Sequence, residues 1–398
     1  MFNTIVETRK IIWVCLLLGL LLFLVELLKA QESEGSAGTF LQMGVGARPL
    51  AMGGAFVGLA DDASATYWNP AGLASLNHIQ LEFMNVNLPL DRTYNFFSGV
   101  FPLKNIATFG VSWIGMRVAG IEGRTSNSAE PEFTFGNNQN AVFLSIGKTI
   151  SPFLSIGGSI KFIKNDLQNI SATGLGFDAS ALIKATDRLR LGLLVQDIGT
   201  DYRWDNNVTE GVPMHFRAGV AYEVYDGVTI AVDADKGSHS DPDFHIGGEI
   251  RPVENLPIRL GYNGSQVTGG AGFLFPLSNH ALELNYAYSN DRIFNEAVHR
   301  LSVVFSFGVH KPRYRGNGAG AILKNTPRFR KADHIDLGEI IVVKAKVLNV
   351  RSGPGTKYRK VAKVFRGEKL KAFEAEGPWR RIKLRNGKKG WVHNKYVR

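Results

Sequence analysis

From Ile79 to Val309 apolar and polar positions alternate with a period of two, segment after segment. That period belongs to strands with one apolar and one polar face. Between Met214 and Val224 one face carries Met214, Phe216, Ala218, Val220, Tyr222 and Val224, and the other His215, Arg217, Gly219, Ala221 and Glu223. The last segment sets Leu301, Val303, Phe305 and Phe307 against Arg300, Ser302, Ser306 and Gly308. The pattern predicts fourteen strands, near 79–88, 93–101, 106–118, 138–150, 153–166, 173–185, 188–198, 213–225, 227–236, 243–251, 256–264, 266–275, 280–290 and 298–308.

The connections carry a second pattern. After every even-numbered strand comes a short turn, such as 102–105, 151–152 or 226, whereas several odd-numbered strands lead to longer polar stretches, notably 119–137 and 199–212. Short turns on one side and long loops on the other mark an outer-membrane barrel. A soluble sandwich also alternates, but this run is unbroken and its turn lengths alternate by side. The apolar face should then meet lipid. The charged set (His215, Arg217, Glu223, Asp233, His245, Glu249, Arg251, Arg259, Glu283 and Arg300) should fill the lumen as pairs, a polar transport route being the other reading. Phe96, Phe97, Trp113, Tyr222, Tyr225 and Tyr288 are expected in interfacial girdles. An even strand count returns both ends of the barrel to the short-turn, periplasmic side.

The first thirty residues read as a signal peptide. Arg9 and Lys10 precede fifteen residues, 11–25, without a charge, and cleavage is expected after Ala30. That stretch is short of the roughly 20 residues that cross hydrocarbon. The only cysteine, Cys15, lies inside it, so the mature chain should have no thiol for disulfides, metal ligation or nucleophilic chemistry.

Residues 31–78 do not alternate in this way and are rich in Gly and Ala. Gly46, Arg48, Met52, Gly53 and Gly54 stand in one run, and Asn69, Pro70 and Gly72 form a strong turn signal. These are the properties of a compact hatch inside a wide lumen, and the constellation either holds the shape of that plug or touches a ligand. The stretch GARPLAMGGAFVGLADDASATYWNPAGLASL resembles the N-terminal signature of the PorV/PorQ family, relatives of the FadL long-chain fatty-acid transporters. The resemblance implies a fourteen-stranded barrel with an N-terminal hatch. It further implies either a part in type IX secretion, with secretion machinery and cargo proteins as partners, or passage of hydrophobic molecules through a lateral opening. The adjacent Asp61 and Asp62 read as a solvated or plug-capping acidic pair.

Charge changes the picture at the other end. The whole chain is +11, yet residues 340–398 hold 18 Lys/Arg against 3 Asp/Glu, or +15, which leaves 28 against 32, or −4, for the rest. A basic, Gly- and Pro-containing linker is expected over 311–338. Beyond it, Val347-Leu-Asn349-Val-Arg351-Ser-Gly353-Pro354-Gly355, Tyr358, Pro378-Trp379 and Gly390-Trp391-Val392 resemble the bacterial SH3-like domain. That resemblance implies a small β-barrel over 339–398 that binds peptidoglycan stem peptides or docks proteins, and a basic field suits the carboxylates of peptidoglycan. Asn349, Arg351, Tyr358, Trp379 and Trp391 are its ligand candidates, with core packing or turn stabilisation as the competing reading. Nucleic acid is not an expected partner, since export removes the chain from it and no aromatic stripe interleaves the basic residues.

The chain carries little that points to catalysis. The nine histidines stand singly, and no HExxH, GxSxG, P-loop or dinucleotide fingerprint occurs in its proper context. No catalytic residue, metal or cofactor is expected. The expected fold class is all-β: a 14-stranded transmembrane β-barrel over 79–310 with an N-terminal hatch over 31–78, plus the small SH3-like domain.

Overall fold

A computed structural model describes residues 37–238, 241–291, 294–308, 339–356, 358–376, 378–384 and 388–397. The expected signal peptide (1–30) and linker (311–338) lie outside the described residues. The chain falls into two compact units.

The first unit contains fifteen strands: β1 (Gln80–Leu88), β2 (Arg92–Leu103), β3 (Ala107–Gly123), β4 (Phe133–Ser151), β5 (Leu154–Leu167), β6 (Ile170–Lys184), β7 (Leu189–Trp204), β8 (Thr209–Gly211), β9 (His215–Tyr225), β10 (Val228–Gly237), β11 (Asp243–Val253), β12 (Leu256–Tyr262), β13 (Val267–Leu277), β14 (His280–Asn290) and β15 (Ala297–Phe307). Neighbours pair antiparallel, β7 skips the three-residue β8 to pair with β9, and β1 closes on β15. The closed wall therefore has fourteen staves.

Gln80 lies opposite Ser306, so both ends of the barrel chain reach one rim, here called the terminal rim. Connections there are short, such as 152–153, 226–227 and 278–279, while 124–132, 205–214 and 294–296 lie at the opposite, loop rim. The loops expected at 119–137 and 199–212 are shorter than the sequence pattern predicts. β3 and β4 remain paired out to Gly123 and Phe133, with a bulge after Val118, and β7 runs on to Trp204. Beyond a bilayer both faces of a hairpin meet water, so the ladder can continue after the alternation has stopped.

Burial follows the alternation. On β4, Val142, Leu144 and Ile146 point outward at 38%, 46% and 43% exposure, while Ala141, Phe143 and Ser145 between them are buried. Toward the loop rim the outer surface turns polar at one level, where Asn85 pairs with Asn95 and Asn140 with Lys164. The Asn85 amide donates to Asn95 Oδ1 at 2.7 Å, marking that edge of the apolar belt. Phe97, Tyr222, Tyr225 and Tyr288 face outward as expected, but Phe96 does not. It lies fully buried on the inner face beside Tyr94, because at its level the inner faces of β1 and β2 carry Met84, Val86 and Tyr94 and pack against apolar hatch residues.

In the second unit, β16 (Glu339–Val342), β17 (Val347–Arg351), β18 (Lys360–Phe365), β19 (Lys369–Glu376), β20 (Trp379–Lys383) and β21 (Lys389–His393) form an antiparallel sheet in the order β16-β19-β20-β21-β17-β18. Ile341, Val343, Leu348, Val350, Val364, Leu370, Ile382 and Val392 share its core.

Candidate functional site

Between residue 37 and β1 the chain folds into four short helical turns, among them Ala47–Ala51 and Ala65–Trp68. Phe40, Met52, Phe56, Tyr67 and Trp68 join the inward Met84, Phe96, Ile114 and Phe143 of the wall in one apolar cluster. The hatch thus sits inside the barrel with its own backbone pressed against the wall. A Cβ on wall residue Gly192 would lie 2.1 Å from the Val57 carbonyl, and one on Gly247 2.4 Å from the Met52 carbonyl. From the hatch side, Gly53 adopts φ 69° and a Cβ there would lie 2.4 Å from the Tyr262 carbonyl. Only glycine fits such an approach.

The hatch motif residues take distinct positions. Asn69 is fully buried; its amide donates to the Val57 and Ala181 carbonyls at 2.9 and 3.2 Å and its Oδ1 accepts from the Ala71 N–H at 3.1 Å. One side chain therefore ties hatch to wall and starts the next turn, with Pro70 in its first position. Gly72 lies so close to Ala60 that a Cβ would meet its carbonyl at 2.1 Å. Met52 is fully buried, and Gly46 (φ 77°) leads into Arg48.

Arg48 is the electrostatic hub. Its guanidinium bonds Asp61 at 2.7 Å and Asp62 at 2.9 Å within the hatch, and Glu249 of β11 at 2.9 Å. Glu249 in turn holds Arg259 at 2.7 Å and Arg251 at 3.0 Å, and Arg259 reaches Glu283 at 3.3 Å. The acidic pair read as solvated or capping is thus the hatch's half of an ion-pair network. A second wall carboxylate, Asp233, accepts the Phe56 and Val57 N–H groups at 2.7 Å each. Lys161, Asp178 and Asp197 form a further buried cluster at 2.8 and 2.6 Å, which sequence reasoning missed. Asp197 stands at an irregular point of the β6–β7 ladder, in a left-handed conformation, and strict alternation does not place it inward.

The hatch leaves a cavity of about 500 Å³ at the loop rim. Met43, Leu50, Trp68, Leu88 and Met116 supply apolar lining, and Arg92, His215, Arg217, Asp235, Asp291 and Arg300 polar lining. Arg92 pairs with Asp291 and Arg217 with Asp235, both at 2.9 Å. Arg300 donates to Ser289 Oγ at 2.7 Å. Such a site can take a molecule with an apolar body and a charged or polar end. A second cavity of about 710 Å³ lies toward the terminal rim, lined by Arg48, Asp61, Arg188, Arg190, Glu223 and Arg251 among others. Gly53 and Gly54 border the first cavity and Arg48 the second. Asn69, Pro70 and Gly72 line neither of these two.

In the second unit, Arg351 Nη1 donates to the Thr356 and Tyr358 carbonyls at 2.6 and 2.8 Å, which fastens the turn between β17 and β18. Asn349 is half-buried on the same outer face of β17, and Tyr358 covers Gly353. Trp391 is buried but stands on the outer face, with the Arg381 guanidinium 5.8 Å from its ring centre. Trp379 is half-buried and meets the His393 ring edge-on at 5.1 Å. The residues are brought onto one face of the sheet, while the core cluster is aliphatic.

A closed, plugged, outward-apolar barrel joined to a small SH3-type sheet is the class this architecture defines. Residues 346–398 match the model of the bacterial SH3 domain. The same region is 43% identical over 51 residues to YrvJ of Bacillus subtilis, named for an N-acetylmuramoyl-L-alanine amidase; the match covers 13% of this chain and 10% of that protein. The barrel is similar to the toluene transporter TodX of Pseudomonas putida (15% identity, TM-score 0.50, 67% of this chain and 98% of that one). It is similar to the monoaromatic hydrocarbon channel CymD at 14% identity, TM-score 0.50, over 67% and 98% of the two chains. A FadL homologue of Pseudomonas aeruginosa matches at 12% identity and TM-score 0.46 over 64% and 96%. At these identities the shared property is the fold alone. These barrels are transporters and channels, and the likeness to an amidase lies within the SH3 portion alone.

Proposed function

We propose that the protein is an outer-membrane uptake channel, which receives a small, partly apolar molecule in the loop-rim cavity and passes it around the hatch, while its C-terminal domain holds peptidoglycan in the periplasm. The observation that carries the channel reading is the cavity between hatch and wall, where Trp68, Met43 and Met116 share the lining with charged side chains. The outward apolar belt supports insertion in the outer membrane, and both barrel ends at the short-turn rim support a periplasmic C-terminal domain. The bacterial SH3 match and the muramoyl-peptide chemistry in its relative's name support the wall as that domain's partner. Uptake of labelled aromatic and alkyl compounds by a deletion strain, complemented with the parent or with Trp68→Ala, tests the channel. Restored uptake that falls with Trp68→Ala is expected; a deletion strain with undiminished uptake of every compound refutes it.

The role in protein secretion or surface attachment rests on the hatch signature alone. It is tested in the same strain, where it requires loss of surface-attached cargo. Binding of the full-length protein to purified sacculi tests the wall reading.

A further inference from the structure

The outer face of the second unit ends at an open edge, β18, where three apolar side chains stay exposed: Val347 and Phe365 face each other across the β17–β18 ladder at 50% and 52% exposure, and Val361 lies further along at 38%. Between Val361 and Phe365 the same face carries the exposed Lys363. Lys346 precedes Val347, Arg366 follows Phe365, and the stretch 344–368 holds eight Lys/Arg against the single Glu368. Glu368 folds back on its own turn, accepting the Phe365 N–H at 2.9 Å. Among the described residues, the unit's other acidic positions, Glu339, Glu374 and Glu376, stand on β16 and β19, at the far side of the sheet.

We propose that this β17–β18 face docks on the anionic surface of a phospholipid bilayer, with Phe365, Val347 and Val361 entering the interface and Lys346, Lys363 and Arg366 meeting lipid phosphates. A hydrated glycan or stem peptide supplies carboxylates for the cations but has no apolar layer to cover three hydrocarbon side chains. A bilayer supplies both at a fixed depth. Bringing basic and apolar groups to one flat edge strand is what interfacial binding needs, and the same chain carries a barrel with a lipid-facing belt.

The test is hydrogen exchange on the full-length protein in nanodiscs of zwitterionic lipid, or of the same lipid with phosphatidylglycerol. Slower exchange of β17 and β18 amides only in anionic discs is expected, with protection falling about tenfold in Phe365→Ser or in Lys346→Glu/Lys363→Glu, and reversing in high salt. Unchanged exchange at β21 in these variants shows that the domain is still folded; a variant that fails this check is replaced by Val347→Ser. Equal exchange in both discs overturns the proposal. So does protection of these strands by muropeptides but not by anionic lipid, which would assign the face to the wall.

Discussion

Arg48 ties the hatch to the wall through a buried ion-pair network, and its removal can be followed quantitatively. Arg48→Leu keeps an apolar stem over Phe56, against which the guanidinium now lies at 5.1 Å, but leaves three carboxylates short of a cation. Removing one partner of a buried ion pair costs about 3–5 kcal/mol. Two features reduce that figure here. Asp61 is 30% exposed and keeps Arg190 at 3.3 Å, and Glu249 keeps Arg259 and Arg251. Asp62 is left with Ser64 alone, through a 2.5 Å hydroxyl bond. A loss of about 2–3 kcal/mol is therefore expected, or roughly a 30- to 140-fold rise in the population of unseated hatch. Planar-bilayer recording reads this directly as more frequent open events, and limited proteolysis reads it as faster cleavage within 37–79. Arg48→Leu/Asp62→Asn should recover part of the effect, because the stranded charge is gone. An Arg48→Leu barrel as closed and as protease-resistant as the parent would refute the network as the hatch's fastening.

Three further outcomes follow. Gly192→Val should prevent the hatch from seating, since its first added carbon would lie 2.1 Å from the Val57 carbonyl; a parent-like heat-modifiability shift with a protected hatch would contradict the close approach. Trp391→Ala should cost the C-terminal domain about 3–5 kcal/mol, enough to unfold so small a unit, and calorimetry of the full chain should then show its transition lost and that of the barrel retained. At the loop rim, the Ser126 and Thr125 hydroxyls, and then their N–H groups, hold the Glu132 carboxylate down to about 2. A depressed folded value means that the loop's ordering is fully present above the ordinary glutamate range and is lost as pH falls from there toward 2. Protease cleavage within 124–132 should rise over that window, and Glu132→Gln should abolish the dependence.

The alternation determined the strand count and which residues share a face, because a period of two commits every side chain to one side of the wall, and with the turn lengths it favoured a closed barrel whose apolar face turns outward. The even strand count determined that both barrel ends share a rim, and the turn lengths which rim that is. Composition marked the hatch as a compact, glycine-dependent piece and located the basic domain. What the sequence could not decide were contacts between positions far apart in the chain. The pairing of Arg48 with Glu249, 201 residues away, exists only once the hatch is inside the barrel. The inward turn of Phe96 and the burial of Asp197 also depend on what fills the lumen beside them, and no local pattern encodes that filling. Likewise the aromatic and basic residues of the C-terminal domain, scattered in the sequence, become one surface only when β20, β21, β17 and β18 lie side by side. Local periodicity is written residue by residue, whereas a site is made by elements that meet after folding.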